Sequence, residues 1–429
     1  FAYAVVNRLV GSTRAVCPVP LDLLNLRFDC PHSSTSTVSA RRLIRRQSQR
    51  IHVTTMFRRA TVECVAVAAP TPKRRRLLGR LVGYERRWKS HGMGFGNVQQ
   101  QRLPYDEKEN IFRLVAAPKT VSVIGAPMTF GQPFVGTDSG PKLIREHGLL
   151  KNLSSLGWRV EDHPDLDFAT ICSRADAEKS TRDPNAKHSQ LVGAGTKVLA
   201  DLVEDKLSTG RFPLILGGDH SIGIGSLSGI LRARPETGVI WVDAHADLNT
   251  PSSSESGNMH GMPLALLMAE LVPDRRVIPG FEWMEEGIKP FLSPDSLVYV
   301  GLRDVDKMER QYIKELGIKA FTMYDIDHLG IGRVMEMALS HLLDRAPDRP
   351  LHISYDIDAV DPMYAPATGT AVRGGLTWRE AHFVAEHVVR SGNLASAEIV
   401  EVNESLSPGS ETVELGHQLV TAMLGEAIL

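Results

Sequence analysis

The sequence of 429 residues predicts an α/β fold in which a parallel sheet carries helices on both faces. From residue 118 onwards, short apolar runs alternate strictly with amphipathic helical patterns, an order that favours right-handed crossovers between parallel strands. Runs that are apolar throughout are expected for strands buried on both faces. Five of the runs are followed at once by acidic or imidazole side chains, at the end of the strand where open parallel sheets bind ligands.

The individual elements follow from the periodicity of their apolar residues. Strands are predicted at Val121–Ala126, Phe212–Leu216, Val239–Val242, Leu297–Gly301, Ala320–Met323, His352–Tyr355 and Ala397–Val402. Helices are predicted at Pro141–Leu156, Ala186–Leu207, Met308–Leu316, Gly332–Leu343, Trp378–Arg390 and Glu414–Ile428. The stretches Arg182–Asn185 and Asn249–Met259 are predicted to be long loops.

Charge divides the chain into a basic extension, residues 1–117, and an acidic body, residues 118–429. Residues 1–103 hold 19 Arg or Lys and four Asp or Glu, whereas the remainder holds 30 and 46. The Arg-rich segment after Met56 is typical of a mitochondrial transit peptide, with a disordered basic tail or a nucleic-acid or membrane arm as alternatives. We therefore expect a mitochondrial protein, or else a cytoplasmic one. The acidic body argues against a nucleic-acid partner, and no apolar run is long enough to predict a membrane-spanning helix.

Several motifs at the predicted strand ends combine carboxylates with imidazoles. In DAHAD the polar residues occupy alternate positions, so their side chains point the same way on an extended backbone, and DID repeats this spacing. Six protein ligands are too many for one zinc ion with an open position, but they suit two ions that share carboxylates and a solvent molecule. Oxygen-rich ligation without thiolates favours Mn(II). The predicted metal ligands are His220, Asp243, His245, Asp247, Asp356 and Asp358.

Four motifs in this order, GGDHS, DAHADLN, SGNMHG and SYDIDAVDP, resemble the arginases of the ureohydrolase family. The resemblance extends from about Val121 to the C-terminus. It implies a three-layer α/β/α fold with a parallel, mostly eight-stranded sheet, two Mn(II) ions per subunit and usually a homotrimer. It also implies that a metal-bridging hydroxide attacks the guanidinium carbon of L-arginine, which is hydrolysed to L-ornithine and urea.

The same resemblance assigns roles to the residues of the site. One manganese ion is expected on His220, Asp243, Asp247 and Asp358, and the other on Asp243, His245, Asp356 and Asp358. Asp247 would also accept a hydrogen bond from the hydroxide, and His260 would protonate the leaving amine because imidazole titrates near neutral pH. Glu401 matches the family position that pairs with the guanidinium, a planar cation that favours a buried carboxylate.

The remainder of an arginine substrate needs further partners. Asp306 is expected to bind the α-ammonium group with Glu309 as a water-linked helper, and Thr370 to lie at the guanidinium end. Neutral donors of the loop LNTPSSSESGN are expected to bind the α-carboxylate. The predicted substrate-binding residues are His245, Asn249, Ser254, Ser256, Gly257, Asn258, Asp306, Glu309, Thr370 and Glu401.

Two other functions stay open. Agmatinase or another ureohydrolase would share the metal ligands, but its substrate would leave the α-carboxylate donors without a purpose. A non-catalytic, metal-stabilised assembly protein is more remote, because the ligand set and His260 are both intact. The chain departs from the family pattern at Ala246 and Glu404, while Arg379 and Glu380 resemble an inter-subunit ion-pair region.

Overall fold

The structure, a computed structural model, describes residues 105–106, 111–113, 119–176 and 185–427. These residues belong to one compact unit, Gln99–Leu429. Most of the predicted basic extension and most of the predicted Arg182–Asn185 loop lie outside the described residues. Within the described part of the chain, none of the helices has the length and apolar character needed to cross a membrane.

Eight parallel strands form the central sheet, in the order β4-β3-β5-β10-β9-β6-β7-β8, which confirms the predicted fold. A small antiparallel sheet has the order β1-β2-β11. The strands are β1 (Tyr105–Asp106), β2 (Ile111–Arg113), β3 (Thr120–Ala126), β4 (Arg159–Asp162), β5 (Phe212–Gly217), β6 (Gly238–Val242), β7 (Leu297–Leu302), β8 (Lys319–Thr322), β9 (Leu351–Asp356), β10 (Leu394–Val400) and β11 (Glu426–Ala427). Two short strands, β1 and β2, therefore lie before residue 118, where the sequence places the extension.

The helices cover both faces of the sheet. They are α1 (Gly140–Glu146), α2 (Leu149–Ser155), α3 (Phe168–Asp176), α4 (Ser189–Ser208), α5 (Gly223–Ala233), α6 (Pro263–Leu267), α7 (Lys307–Leu316), α8 (Met323–Leu329), α9 (Ile331–Leu343), α10 (Trp378–Arg390) and α11 (Glu411–Met423). The single helix predicted at Pro141–Leu156 is wrong, because Gly148 adopts a left-handed φ of 94° and separates α1 from α2. The helix predicted to reach Ile428 ends at Met423.

Two apolar layers sandwich the sheet. On β5, Leu214 and Leu216 belong to one buried cluster and Ile215 to the other. Alternate side chains of a strand point to opposite faces, so this strand is apolar on both sides. The five adjacent strands β5, β10, β9, β6 and β7 therefore form the buried centre of the sheet, and the segments that follow them meet at its carboxyl edge.

Candidate active site

The first ligand group forms around His220, which begins a short turn directly after β5 and GGD. Its Nδ1 atom lies 3.1 Å from one carboxylate oxygen of each of Asp243, Asp247 and Asp356. All four side chains are buried. Three strand ends, those of β5, β6 and β9, thus deliver their polar residues to one point, as the sequence predicts.

A second group forms around His245. Its Nδ1 atom lies 3.0 Å from Asp358 Oδ2 and 3.5 Å from Asp243 Oδ1. Since Asp243 presents Oδ2 to His220 and Oδ1 to His245, it is the carboxylate that the two groups share.

Without metal ions bound, the side chains group differently from the expected division of ligands between two ions. The structure pairs His220 with Asp356, which ends β9, and His245 with Asp358, which lies in the following turn. Asp358 turns away from His220 because its two oxygens accept hydrogen bonds from the backbone N–H of Ala244 (3.2 Å) and from Thr370 Oγ1 (2.8 Å). Without metal ions bound, Asp358 lies with His245, and the expectation that it also binds the ion at His220 stays a prediction.

The residues present suit a divalent cation. Ser354 Oγ lies 2.8 Å from His220 Nε2, so Nε2–H can donate to it and leave the Nδ1 lone pair facing three carboxylates. Nδ1 is buried among these carboxylates, so it carries a proton in metal-free protein or gives its lone pair to a bound cation. Burial alone would lower the pKa of His220, but the facing carboxylates raise it well above its ordinary value. A positive charge is thus required at this point, and a metal ion bound by oxygen and imidazole atoms would supply it.

The other site groups also show a strongly anionic pocket. Burial and the neighbouring charge of Asp243 raise the pKa of Asp247 to about 6. Burial disfavours a charged His245, but Asp358 and Asp243 raise its pKa to about 12. These directions describe the metal-free protein, in which protons on imidazoles compensate the clustered carboxylates.

Glu401 follows β10 and turns into the site. Its side chain is 1% exposed, and one carboxylate oxygen accepts from Gln132 Nε2 at 2.5 Å. The other accepts from the backbone N–H of His220 at 2.8 Å and lies 3.3 Å from His260 Nδ1. Burial alone would raise the pKa of Glu401, but His260 and the N–H donor lower it, so the carboxylate is ionised. A solvent-facing role for Glu401 is excluded by this burial.

His260 lies in a one-turn helix, Met259–Gly261, and its backbone N–H donates to Gly131 O at 3.1 Å. Burial opposes its charged form, but the contact with Glu401 outweighs burial and raises the pKa to about 9. The imidazole therefore carries a proton at neutral pH, as a proton donor must.

The loop between β6 and α6 includes the predicted α-carboxylate donors. Ser254 Oγ accepts from the backbone N–H of Gly257 at 2.9 Å, and Ser256 Oγ accepts from that of Asn258 at 3.2 Å. Gly257 has a left-handed φ of 71°, which a residue with a side chain rarely adopts. These contacts stiffen the loop and leave the Ser256 hydroxyl exposed at its tip.

Asp306 and Glu309 begin α7 as a capping box. Glu309 is 4% exposed, and its two oxygens accept from the backbone N–H groups of Leu248 and Asp306, both at 2.9 Å. Burial raises the pKa of Glu309 to about 7. Asn249 Nδ2 donates to Asp306 Oδ2 at 2.9 Å. Glu309 and Asn249 therefore hold Asp306 in place.

Four functional neighbours were not identified from the sequence. Gln132 holds Glu401, and Ser354 faces His220 Nε2. Trp241 stacks on His220 with ring centroids 4.0 Å apart and donates from Nε1 to Asp243 Oδ2 at 3.0 Å. Arg303 donates to the backbone carbonyls of Asp358, Ala359 and Val372. Nothing in the spacing of the GQP segment around Gln132 indicates a contact with Glu401.

The chain is similar in sequence and in structure to several known proteins. A family model described as "Arginase family" matches residues 119–425. Arginase from Glaciozyma antarctica is 44% identical over 323 residues, which cover 73% of this chain and 90% of that protein. Arginase-1 from Bos taurus is 45% identical over 296 residues, which cover 69% and 88%. The crystal structure of arginase from Bacillus caldovelox matches with a TM-score of 0.65 at 38% identity, over 72% of this chain and 100% of that one.

Proposed function

Because the chain belongs to the arginase family, we propose that it hydrolyses L-arginine to L-ornithine and urea. The observation that carries this proposal is the meeting of the two metal-ligand groups with Glu401 and His260 in one pocket. A metal pair next to an ionised, buried carboxylate and a protonated imidazole provides every charge that guanidinium hydrolysis needs.

Two Mn(II) ions are the proposed cofactor. One would be held by the His220 group and the other by the His245 group, with Asp243 common to both. Carboxylate-rich ligand sets without thiolate favour Mn(II) over softer ions. When bound, such a pair lowers the pKa of a shared water molecule and so provides a nucleophile at neutral pH.

The residues of the pocket then fix the substrate. Glu401 would pair with the guanidinium group, because its carboxylate is ionised and held by three donors. Asp306 would bind the α-ammonium group, supported by Asn249 and Glu309. Thr370 donates to Asp358, so we assign it to orienting that ligand beside the guanidinium end.

The α-carboxylate would bind at the loop of Ser254, Ser256, Gly257 and Asn258, where the exposed Ser256 hydroxyl can donate. His245 would face the substrate from its metal-ligand position, since its side chain is 24% exposed. This loop distinguishes arginine from substrates without a carboxylate.

His260 would supply the proton that the leaving amine requires. Its contact with Glu401 keeps the imidazole charged, and the same Glu401 would hold the guanidinium, so donor and leaving group meet at one carboxylate. Asp247, with its pKa raised to about 6, would accept a hydrogen bond from the attacking water and aim it.

The deciding experiment is urea release from L-arginine compared with agmatine by the Mn(II)-loaded protein. Agmatine lacks the α-carboxylate, so we expect arginine to be much the better substrate. Faster urea release from agmatine would indicate the agmatinase alternative. No urea from either substrate, by protein with full metal content, would indicate a non-catalytic assembly protein.

We also propose a homotrimer in mitochondria. The trimer rests on the family resemblance and would be tested by light scattering coupled to size-exclusion chromatography. Glu380 Oε2 accepts from the backbone N–H and hydroxyl of Thr377 at the start of α10. The mitochondrial address rests on the Arg-rich composition after Met56. A reporter fused after residue 100 should enter mitochondria, and diffuse cytosolic signal would contradict this.

A further inference from the structure

Residues 127–136, here called the Gly131 segment, belong to no helix or strand, yet one of their side chains holds Glu401. The segment must therefore be kept in place by individual contacts, and a buried carboxylate, Asp219, makes one of them. We propose that Asp219 is a positioning residue for the proton donor His260 and for Glu401. This role rests on the proposed hydrolysis of arginine, because His260 and Glu401 act together only in that reaction.

Asp219 lies two residues after β5, directly before His220, and its side chain is fully buried. Its Oδ1 atom accepts from the backbone N–H of Ser221 at 3.0 Å and so caps the turn that contains His220. Its Oδ2 atom accepts from the backbone N–H of Gly131 at 2.8 Å, and its own backbone N–H donates to Met128 O at 2.9 Å. One oxygen of this carboxylate therefore holds the metal-ligand turn, and the other holds the Gly131 segment.

The contact between Asp219 and Gly131 is close enough to require glycine at position 131. A Cβ atom at that position would lie 2.3 Å from Asp219 Oδ1 and 2.7 Å from Ser221 Oγ. Both distances are well below the usual contact distance of about 3.5 Å. Since Asp219 and Ser221 are both fully buried, we expect the segment to move rather than these two side chains.

Contacts to both catalytic groups begin at this peptide. The carbonyl oxygen of Gly131 accepts from the backbone N–H of His260 at 3.1 Å. The next residue, Gln132, donates from Nε2 to Glu401 Oε2 at 2.5 Å. A displacement of the Gly131 segment would therefore alter the 3.3 Å contact between His260 Nδ1 and Glu401 Oε1. In a reacting geometry, a misplacement of about 1 Å can lower the rate about 100-fold.

Asp219→Asn separates the two contacts of Asp219. Asn caps a turn about as well as Asp, so this variant should keep the contact with Ser221 and the turn of His220. The amide nitrogen of Asn then faces the backbone N–H of Gly131, and two donors cannot form a hydrogen bond. We expect kcat for L-arginine to fall at least about tenfold while the manganese content stays that of the parent.

Two further variants distinguish positioning from a general loss of structure. Asp274→Asn is the matched control, because Asp274 caps a one-turn helix by accepting from the backbone N–H of Arg276, and its kcat should be unchanged. Asp219→Asn combined with Gln132→Met forms a double-mutant cycle. Because both substitutions act on the Gly131 segment, the double variant should lose less activity than the product of the two single losses.

Gly131→Ala displaces the segment without changing any charge, and its effect can be measured without substrate. Burial lowers the pKa of His260 in metal-free protein, but the contact with Glu401 raises it to about 9. In Gly131→Ala we expect NMR titration to show this pKa falling from about 9 towards the ordinary value of about 6.5. Gly332→Ala on α9 is the control, because a Cβ atom there meets only the ring of Phe383, at 3.6 Å.

Three results would overturn the proposal. Loss of manganese in proportion to activity in Asp219→Asn would show that Asp219 acts only by holding His220. Activity losses that multiply in the double variant would show that Asp219 does not act through the Gly131 segment. An unchanged pKa of His260 in folded Gly131→Ala would show that the segment does not position the imidazole. Since the titration needs no substrate, absence of urea release by the parent would count against the proposed function alone.

Discussion

Gln132 is expected to control the productive position of Glu401, although it touches no metal ligand. Gln132→Met keeps a side chain of similar length and removes the 2.5 Å hydrogen bond to Glu401 Oε2. Hydrogen bonds to charged groups contribute about 1.5–3 kcal/mol, and two other donors hold only the opposite oxygen, Oε1. If the whole of this contribution is needed in the transition state, kcat/KM should fall by roughly 10- to 150-fold.

The stability of the Gln132→Met variant should change less than its kcat/KM. Gln132 Oε1 is buried without a hydrogen-bond partner, so the variant also removes an unsatisfied polar atom, and this gain offsets part of the lost contact. Kinetics with L-arginine, thermal unfolding and metal analysis should be measured together. Gln311→Ala is the matched control, because Gln311 is exposed on α7 and donates only to Glu315. A kcat/KM within twofold of the parent, in a folded variant with full metal content, would refute the assignment.

Three further predictions follow from the site. Asp356→Ala and Asp358→Ala should each lower metal content at a different ion, so the double variant should retain less manganese than either single variant; full content in either would contradict the division. Asp306→Asn should raise KM for L-arginine by more than it lowers kcat, and unchanged steady-state kinetics would remove its role. In metal-free protein, Glu401 overcomes burial and raises the pKa of His260 to about 9, so the stabilisation by this pair is complete below the unfolded value of about 6.5 and disappears as pH rises through 9. The loss of Tm in His260→Gln should therefore be larger at pH 6 than at pH 10, and an equal loss at both would argue against the pair.

The central strands were predictable because each is apolar at consecutive positions and ends in polar residues. The polar strand β4, RVED, was missed since it lies at the edge of the sheet and is largely accessible. Helix α5 was missed for the opposite reason: residues 223–231 are all buried, so the segment has no polar face to create a helical period. Neither failure concerns the residues that follow the central strands, so the predicted position of the site did not depend on them.

The residues that come together at the site could be predicted from motifs, but the contacts among them could not. The residues Asp356 and Asp358 share a motif, and only the hydrogen bonds to Ala244 and Thr370 decide which imidazole Asp358 faces. Gln132 and Glu401 are 269 positions apart, and no local pattern connects them. Contacts of this kind depend on how the strand ends are brought together by the sheet, which composition and periodicity do not encode.

The backbone conformation at Glu401 is strained, and this strain lowers the stability of the fold. Glu401 has a φ of 64° and, with Asp247 and His188, is one of three non-glycine residues with positive φ in the described part of the chain. A left-handed conformation costs a residue with a side chain roughly 1–2 kcal/mol, and glycine avoids this cost. In metal-free protein, Glu401→Gly should therefore be about 1 kcal/mol more stable than Glu401→Ala in urea denaturation, since both variants lose the same carboxylate.

Glu404 does not have a positive φ, so at this position the glycine variant should be less stable than the alanine variant. If alanine were the more stable residue at both positions, the left-handed turn would not be a source of strain. If the glycine variant is the more stable one only at position 401, the strain lies in the turn that directs the carboxylate to the N–H of His220 and towards His260. The fold then accepts local destabilisation at the point where the chain leaves β10 and Glu401 turns into the site.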